Sequence, residues 1–287
     1  MSSSIDFLRG ASPLFMKVKL PISLFALVLL LSNCARTEEV KTKATFEILT
    51  ETIEVNQPTD IISLSDTLVR PILYSHIVNL DVLPISIKKD KFISALLPAI
   101  LVAKLKLKRQ AMRLALLEKS KDWTVSDSLF IDELKFTYKK ENYNDLMNAL
   151  NTHPNSIILA QAAVESGWGN SRIFSESNNL FGIWSFNKNE PRIASNVKRG
   201  DKTIYLRQYE NIEESIKGYF ITIGRTNAYQ GFRDKRAQTD DPFDLINDLS
   251  HYSELREEYV AQLSTVIRFN KLTKYDTYQI DPKFIVD

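Results

Sequence analysis

The 287-residue chain has the composition of a globular protein, with 44% hydrophobic and 25% charged residues. Its formal net charge is +2, and residues 1–33 alone carry Arg9, Lys17, Lys19 and Asp6, so the remainder is close to neutral. That balance argues against nucleic acid as a partner. Three histidines far apart in sequence and a single cysteine predict neither a metal site nor an internal disulfide, and we expect no cofactor.

The N-terminus has the pattern of a targeting segment. Lys17 and Lys19 precede a short apolar run at residues 20–31, and Cys34 follows that run. The run is too short for a comfortable transmembrane helix. The pattern resembles a bacterial lipoprotein signal, so we predict a signal segment at residues 1–34 with Cys34 as the lipidated residue.

Two features leave the processing of this segment open. Asn33 stands where a small residue normally precedes the lipidated cysteine, so an ordinary export signal with an incidental Cys34 is the alternative. Met16 would start a more compact signal. A lipid anchor would place the protein on a membrane in the cell envelope, facing the periplasm, and Ala35 favours the outer membrane.

Residues 35–82 are predicted to be a tether, polar up to about residue 60, followed by an irregular arm. Residues 91–119 then carry an apolar stripe at helical spacing, which Pro98 should kink or break. The apolar centre of that helix favours a core position over a membrane or partner helix. Residues 126–138, with Ser126 as cap, and residues 141–151 are predicted to form two further helices.

Residues 156–183 contain the residues on which the rest of the prediction depends. Asn155 or Ser156 should cap a buried helix, and Gly167 should end it. Glu165 therefore lies in the last turn, where the helix dipole and apolar neighbours both favour the protonated carboxyl. A carboxylic acid held neutral near pH 7 suits general acid catalysis. The alternative is a surface glutamate paired with Arg172.

Residues 185–209 predict a β-hairpin, with Gly200-Asp201 between two short runs. Helical patterns resume at 215–223, 242–249 and 254–269, and the tail after Tyr275 should be irregular. Periodicity alone thus predicts a helical domain with a β insertion.

The run AQAAVESGWGNS followed by SNNLFGIWSF resembles the glucosaminidases of glycoside hydrolase family 73, most closely their Bax-type branch. The YENIEES run near Tyr209 and the residues around Tyr229 and Tyr252 extend the resemblance, which spans about residues 83–272. It implies an α+β, predominantly helical, lysozyme-like fold with a small β-hairpin beside the cleft. The predicted glucosaminidase domain covers residues 83–276, and residues 277–287 form a tail.

The resemblance also implies an activity and a set of site residues. The substrate is peptidoglycan, cleaved at the β-1,4 bond between N-acetylglucosamine and N-acetylmuramic acid, with Glu165 as general acid. Tyr252 matches a tyrosine thought to stand opposite the glutamate. The remaining site candidates are substrate-binding residues: Asn179, Phe181, Trp184, Tyr209 and Tyr229. For each aromatic the alternative is core packing.

The second catalytic group stays open. Family members are proposed to activate water with an acid near the hairpin, or to use the substrate's own 2-acetamido group. The carboxylates of that region are Glu190, Asp201, Glu210, Glu213 and Glu214. Two other functions also stay open: a lytic transglycosylase, and an envelope lipoprotein that binds glycan without cutting it.

Overall fold

The computed structural model describes residues 46–120, 122–199 and 201–286. The predicted signal segment, Cys34 and the first part of the tether lie outside the described residues. The helices are α1 (Ile85–Lys119), α2 (Val125–Tyr138), α3 (Tyr143–Leu150), α4 (Asn155–Ser166), α5 (Arg172–Ser177), α6 (Ile212–Arg225), α7 (Gln230–Lys235), α8 (Pro242–Leu245) and α9 (Glu257–Phe269). The strands are β1 (Glu47–Ile48), β2 (Glu51–Ile53), β3 (Leu68–Val69), β4 (Ile72–Tyr74), β5 (Arg192–Arg199), β6 (Lys202–Arg207), β7 (Gln279–Ile280) and β8 (Ile285–Val286).

Helix α1 is the longest element, and it starts six residues before the predicted position. It continues through Pro98, so the predicted break at that residue is wrong. Residues 92–103 are all buried in the domain core, which confirms the core interpretation of this apolar segment.

None of the helices in the described part of the chain has the length and apolar character needed to cross a bilayer.

Helix α2 begins with a reciprocal capping arrangement. The Thr124 side chain accepts a hydrogen bond from the backbone of Asp127, and the Asp127 carboxylate accepts one from the backbone of Thr124 at 3.1 Å. The predicted cap, Ser126, is therefore wrong by two residues, because the carboxylate three positions after Thr124 completes a capping box.

Helix α4 lies at the centre of the fold and packs against α1, α9 and the 3₁₀ turn Leu272–Thr277. Its residues 155–163 are all buried, so the helix is covered by neighbouring elements around its whole circumference. Neither Asn155 nor Ser156 caps it, contrary to prediction. Asp276 instead accepts hydrogen bonds from the backbone nitrogen and the hydroxyl of Ser156, each at 2.7 Å.

The other end of α4 is as predicted. Gly167 adopts φ +60° directly after the last helical residue, a conformation that favours glycine. Glu165 consequently lies in the last turn.

Strands β5 and β6 form the predicted antiparallel hairpin. The chain before the hairpin runs beside β6: the backbone of Ser185 donates to Tyr205, and that of Arg207 donates to Ile183. This pairing fixes residues 183–185 against the hairpin and so places Trp184 beside it.

The N-terminal arm and the C-terminal tail hold each other through short strands. Strand β1 pairs with β8, β3 pairs with β7, and β2 pairs with β4 inside the arm. Val55 and Tyr74 are buried. The predicted tether is therefore wrong for residues 46–60, and the tail is not irregular throughout, because both segments cover apolar surface of the helical core.

Candidate active site

The loop at residues 179–184 forms one wall of a cleft, and Asn179 holds its shape. The Asn179 side-chain nitrogen donates to the carbonyls of Ile183 and Arg207 at 2.9 and 2.8 Å, and its oxygen accepts from the backbone of Ile183 at 2.9 Å. The side chain is 3% exposed. Asn179 is absent from the cavity lining described below, because its amide is used to fold the loop onto β6, and its contact with substrate stays a prediction.

The cleft encloses a cavity of about 400 Å³. Its lining combines one carboxyl group, two arginines and several aromatic and aliphatic side chains. These residues are Glu165, Phe181, Gly182, Ile183, Trp184, Phe186, Arg207, Ile221, Thr222, Arg225, Thr226, Tyr229 and Tyr252. A cavity with flat apolar faces and few charged groups is the usual form of a small-ligand site.

Glu165 lies at the cavity wall in a half-buried position. Burial raises its pKa from 4.5 to about 7, and a hydrogen bond with Tyr259 acts in the opposite direction. A methyl group added at Gly182 would lie 3.9 Å from Oε2 of Glu165, so the loop backbone covers the carboxyl. The alternative interpretation, an ion pair with Arg172, is not found, since Arg172 bonds Glu176 at 2.7 Å.

Tyr252 and Glu165 line the same cavity. Its hydroxyl donates to the carbonyl of Phe181 at 3.1 Å, and its ring stacks on Tyr259 with centroids 5.8 Å apart. Burial raises the pKa of Tyr252 well above its ordinary value, with a further contribution from the charge of Glu165. Tyr252 therefore presents a neutral hydroxyl in the same cavity as Glu165, and its role opposite the acid stays a prediction.

The predicted substrate-binding aromatics divide into two groups. Trp184 is 38% exposed and Tyr229 is 8% exposed, and both line the cavity. Phe181 is 2% exposed and stacks on Tyr219 with centroids 4.4 Å apart, so its ring belongs to the core although its carbonyl faces the site.

Tyr209 does not line the cavity, contrary to prediction. Its hydroxyl lies 2.3 Å from the position that a methyl group at Gly218 would occupy, so the ring packs directly on helix α6. The absence of a side chain at Gly218 permits this close approach.

Sequence reasoning missed the buried polar residues behind Glu165. Gln161 lies one turn earlier on the same face of α4, and its side-chain nitrogen donates to Tyr259 at 3.1 Å. The hydroxyl of Tyr219 donates to the Gln161 oxygen at 2.6 Å. The helical spacing of Gln161 and Glu165 was the one available signal, because the two tyrosines come from α6 and α9.

Three comparisons with known proteins bear on this site. Residues 140–272 match the family model described as Mannosyl-glycoprotein endo-beta-N-acetylglucosaminidase, the Glucosaminidase family. Residues 140–272 are therefore similar to the glucosaminidase family. Protein bax of Escherichia coli (strain K12) is 31% identical over 100 residues, which are 35% of this chain and 34% of that protein. The match thus spans about a third of that curated relative.

Two solved structures resemble the glucosaminidase domain. The crystal structure of peptidoglycan hydrolase from Sphingomonas sp. A1 has a TM-score of 0.36 and 22% identity, covering 50% of this chain and 85% of that one. The glycoside hydrolase domain of Salmonella typhimurium FlgJ has a TM-score of 0.35 and 21% identity, covering 49% and 90%. The predicted predominantly helical architecture with a β-hairpin beside the cleft is confirmed by the helices and strands themselves.

The five hairpin carboxylates are absent from the lining of the cavity. Glu190 is the one tied to a lining residue: its oxygens bond the Ser185 hydroxyl at 2.7 Å and Arg207 at 3.2 Å. Glu213 pairs with Lys106 at 2.7 Å and Glu214 with Lys217 at 3.3 Å. Asp201 and Glu210 are exposed. Glu165 is thus the one carboxyl among the described residues that line the cavity of the glucosaminidase domain.

Residues 46–120, 122–199 and 201–286 contain no cluster of three or more histidine, cysteine or acidic side chains placed to hold a metal ion.

Proposed function

We propose that the glucosaminidase domain is a peptidoglycan hydrolase. It cleaves the β-1,4 bond between N-acetylglucosamine and N-acetylmuramic acid, and Glu165 is the general acid. The observation that carries this proposal is the half-buried Glu165, whose pKa is raised to about 7, at the wall of a cavity with aromatic faces. The match to the glucosaminidase family supports the reaction class.

Glycosidic bond cleavage requires a proton for the leaving oxygen and stabilisation of an oxocarbenium-like centre. Burial keeps Glu165 protonated near neutral pH, and its place at the cavity wall allows it to donate to an oxygen bound there. Tyr252 is held by the Phe181 carbonyl and contributes orientation or charge stabilisation rather than the proton.

For the second catalytic role we propose the substrate's 2-acetamido group, whose oxygen attacks the anomeric carbon as the bond to the protonated leaving oxygen breaks, before water hydrolyses the cyclic intermediate. This proposal is supported because no carboxylate near the hairpin lines the cavity as a free base. Glu190 is bonded to Ser185 and Arg207, and the other four are absent from the cavity lining. Both oxygens of Glu190 already have partners, so neither is free to take a proton from water. Glu190→Gln should therefore lower turnover by less than about tenfold, well below the 10²–10⁴ of acid–base catalysis.

The walls of the cavity suit a sugar polymer. Trp184 and Tyr229 present flat aromatic surface, on which sugar rings stack. Arg207 and Arg225 add positive charge to the same cavity, and stem-peptide or lactyl carboxylates of peptidoglycan supply matching negative charge.

The test is incubation of the purified protein with peptidoglycan, followed by mass analysis of the new ends. We expect reducing N-acetylglucosamine ends. Glu165→Gln should lower the rate at least 10²–10⁴-fold with folding retained, and Tyr252→Phe should lower it less. Glu176→Gln, a glutamate in the exposed ion pair with Arg172, is the matched control and should cleave normally.

Each other outcome identifies an alternative. Anhydro-muramic ends would make the protein a lytic transglycosylase. Retention of glycan with no product would make it a binding lipoprotein of the envelope. Near-normal cleavage by a folded Glu165→Gln protein would refute the assignment of the acid.

We also propose that the protein acts in the bacterial cell envelope, held to a membrane through Cys34 and facing the periplasm, with the outer membrane favoured. The lone cysteine after a basic and apolar segment supports this placement.

A further inference from the structure

A chain of buried hydrogen bonds runs from Arg236 to Tyr259, the tyrosine whose hydrogen bond lowers the pKa of Glu165. Arg236 contacts Nδ1 of His153 through Nη1 at 3.4 Å, and Nε2 of His153 lies 2.8 Å from the hydroxyl of Tyr219. Tyr219 bonds Gln161 at 2.6 Å, and Gln161 bonds Tyr259 at 3.1 Å. His153, Gln161, Tyr219 and Tyr259 are each at most 2% exposed, so water does not compete for these bonds.

The donor and the acceptor of every bond in the chain follow from the first contact, between Arg236 and His153. A guanidinium has only donors, so Nδ1 of His153 must accept and the ring proton must lie on Nε2. His153 therefore donates to Tyr219, and the Tyr219 proton goes to the carbonyl oxygen of Gln161. The Gln161 amide then donates to the oxygen of Tyr259, which leaves the Tyr259 proton for Glu165.

We infer that this hydrogen-bond chain, from Arg236 through His153, Tyr219, Gln161 and Tyr259, is a positioning device that directs one proton donor at the carboxyl of Glu165. The inference rests on the proposed role of Glu165 as the acid. The carbonyl oxygen of a protonated carboxyl is a better acceptor than its hydroxyl oxygen, so the bond from Tyr259 favours the acidic proton on the other oxygen. The carboxylate left after proton transfer is stabilised by a donor already in place.

The chain also limits how far burial raises the pKa of Glu165. A hydrogen bond from Tyr259 favours the ionised form, whereas desolvation favours the neutral form. A hydrogen bond to a charged group is worth about one to two pKa units. Loss of the bond should therefore raise the pKa of Glu165 and weaken it as an acid.

The most specific consequence concerns Tyr219, which acts on Glu165 only through Gln161 and Tyr259. In Tyr219→Phe the Gln161 side-chain oxygen loses its hydrogen-bond donor. The side-chain amide of Gln161 then flips and presents that oxygen to Tyr259. The Tyr259 proton then bonds Gln161 instead of Glu165. The ring that stacks on Phe181 is kept, so packing is preserved.

Other groups near Glu165 do not titrate in the relevant range. Burial raises the pKa of Tyr229 to about 12, and it raises the pKa values of Tyr252 and Tyr259 further above the ordinary range. The guanidinium groups of Arg207 and Arg225 supply positive charge to the same cavity. A titration observed between pH 5 and 9 at this site therefore belongs to Glu165.

The experiment is a carboxyl ¹³C NMR titration of the full chain labelled at glutamate, with Glu165→Gln identifying the Glu165 resonance. Tyr259→Phe and Tyr219→Phe should each raise the pKa of Glu165 by about one unit. Their turnover should extend to higher pH by the same amount and be lower at its maximum. The matched control is Asn155→Ala, which removes buried hydrogen bonds to Tyr275 and Lys104 at the other end of α4. It should leave the pKa unchanged.

An unchanged pKa in Tyr219→Phe would overturn the inference, and so would an equal shift in Asn155→Ala. A shift specific to the two tyrosine variants, in a protein that cuts no glycan, would support the hydrogen-bond chain and refute the proposed function. Normal glycan cleavage with no pKa shift in the two tyrosine variants would support the proposed function and refute the hydrogen-bond chain.

Discussion

Glu165 combines two opposing demands at a single residue. Its burial holds a proton for catalysis, and the same burial disfavours the ionised carboxylate in the folded protein. Active-site groups of this kind commonly lower stability in return for function. The folded pKa of about 7 against the ordinary 4.5 makes that effect measurable.

The first prediction concerns stability against pH. Because the folded state binds the Glu165 proton more tightly than the unfolded state, this residue lowers the free energy of unfolding as pH rises from 4.5 to about 7. Glu165→Gln removes the effect, so the variant should be more stable than the parent by up to about 3 kcal/mol at pH 8. Urea unfolding at pH 5 and pH 8 measures the difference, which should shrink at pH 5. A difference independent of pH would contradict the expected ionisation.

The second prediction separates the two neighbouring aromatics of the loop. Trp184 is 38% exposed in the cavity and Phe181 is 2% exposed in the core. Trp184→Ala should weaken glycan binding with a small change in Tm, whereas Phe181→Ala should lower stability by about 3–5 kcal/mol. Chemical denaturation and glycan-binding assays on both variants measure this. A large stability loss in Trp184→Ala would place its ring in the core.

At the scale of elements, helix α4 depends on residues far along the chain for its orientation. Its N-terminus is capped by Asp276 rather than by its own residues, and its buried sides meet α1 and α9. The helix is thereby fixed at both ends. Asp276 binds its start, and Gly167 stops it directly after the turn that carries Glu165.

The third prediction tests this distant cap. Asp276→Ala leaves the Ser156 backbone nitrogen and hydroxyl without their acceptor, and loss of a cap costs about 0.5–2 kcal/mol. Urea denaturation should show that loss. Asp132→Ala, at an exposed position on α2, is the control and should stay within about 0.5 kcal/mol of the parent. Equal stability of the two variants would mean that Asp276 does not cap α4.

At the scale of the whole molecule, the N-terminal arm of the described residues pairs with the C-terminal tail. Strand pairs β1–β8 and β3–β7 join the arm to the tail over more than 200 residues of sequence. Such pairing covers the apolar core with segments that have little regular structure of their own.

The fourth prediction concerns the anchor. If Cys34 is lipidated, Cys34→Ser should release the protein from membranes or leave an uncleaved precursor, because bacterial lipoproteins are held by acyl chains on that residue. Fractionation and intact mass measure both results. Unchanged mature mass together with membrane retention in the variant would exclude lipidation at Cys34.

Local signals in the sequence were sufficient for the elements that a short stretch determines. The spacing of apolar residues predicted α4 and its end at Gly167, and Gly200-Asp201 predicted the hairpin. The direction of the pKa shift at Glu165 was predicted too, from its apolar neighbours along the helix, whereas its role as general acid stays a prediction. These features depend on neighbours within a few residues.

The tertiary structure decided which side chains face the cleft and what supports the acid. Asn179 and Tyr209 look like ligand-binding residues in sequence, yet their side chains are used against β6 and Gly218. Gln161 meets Tyr219 and Tyr259 from elements 58 and 98 residues away. The physical reason is that hydrogen bonding and burial depend on distance in space, and helices packed from remote parts of the chain set that distance.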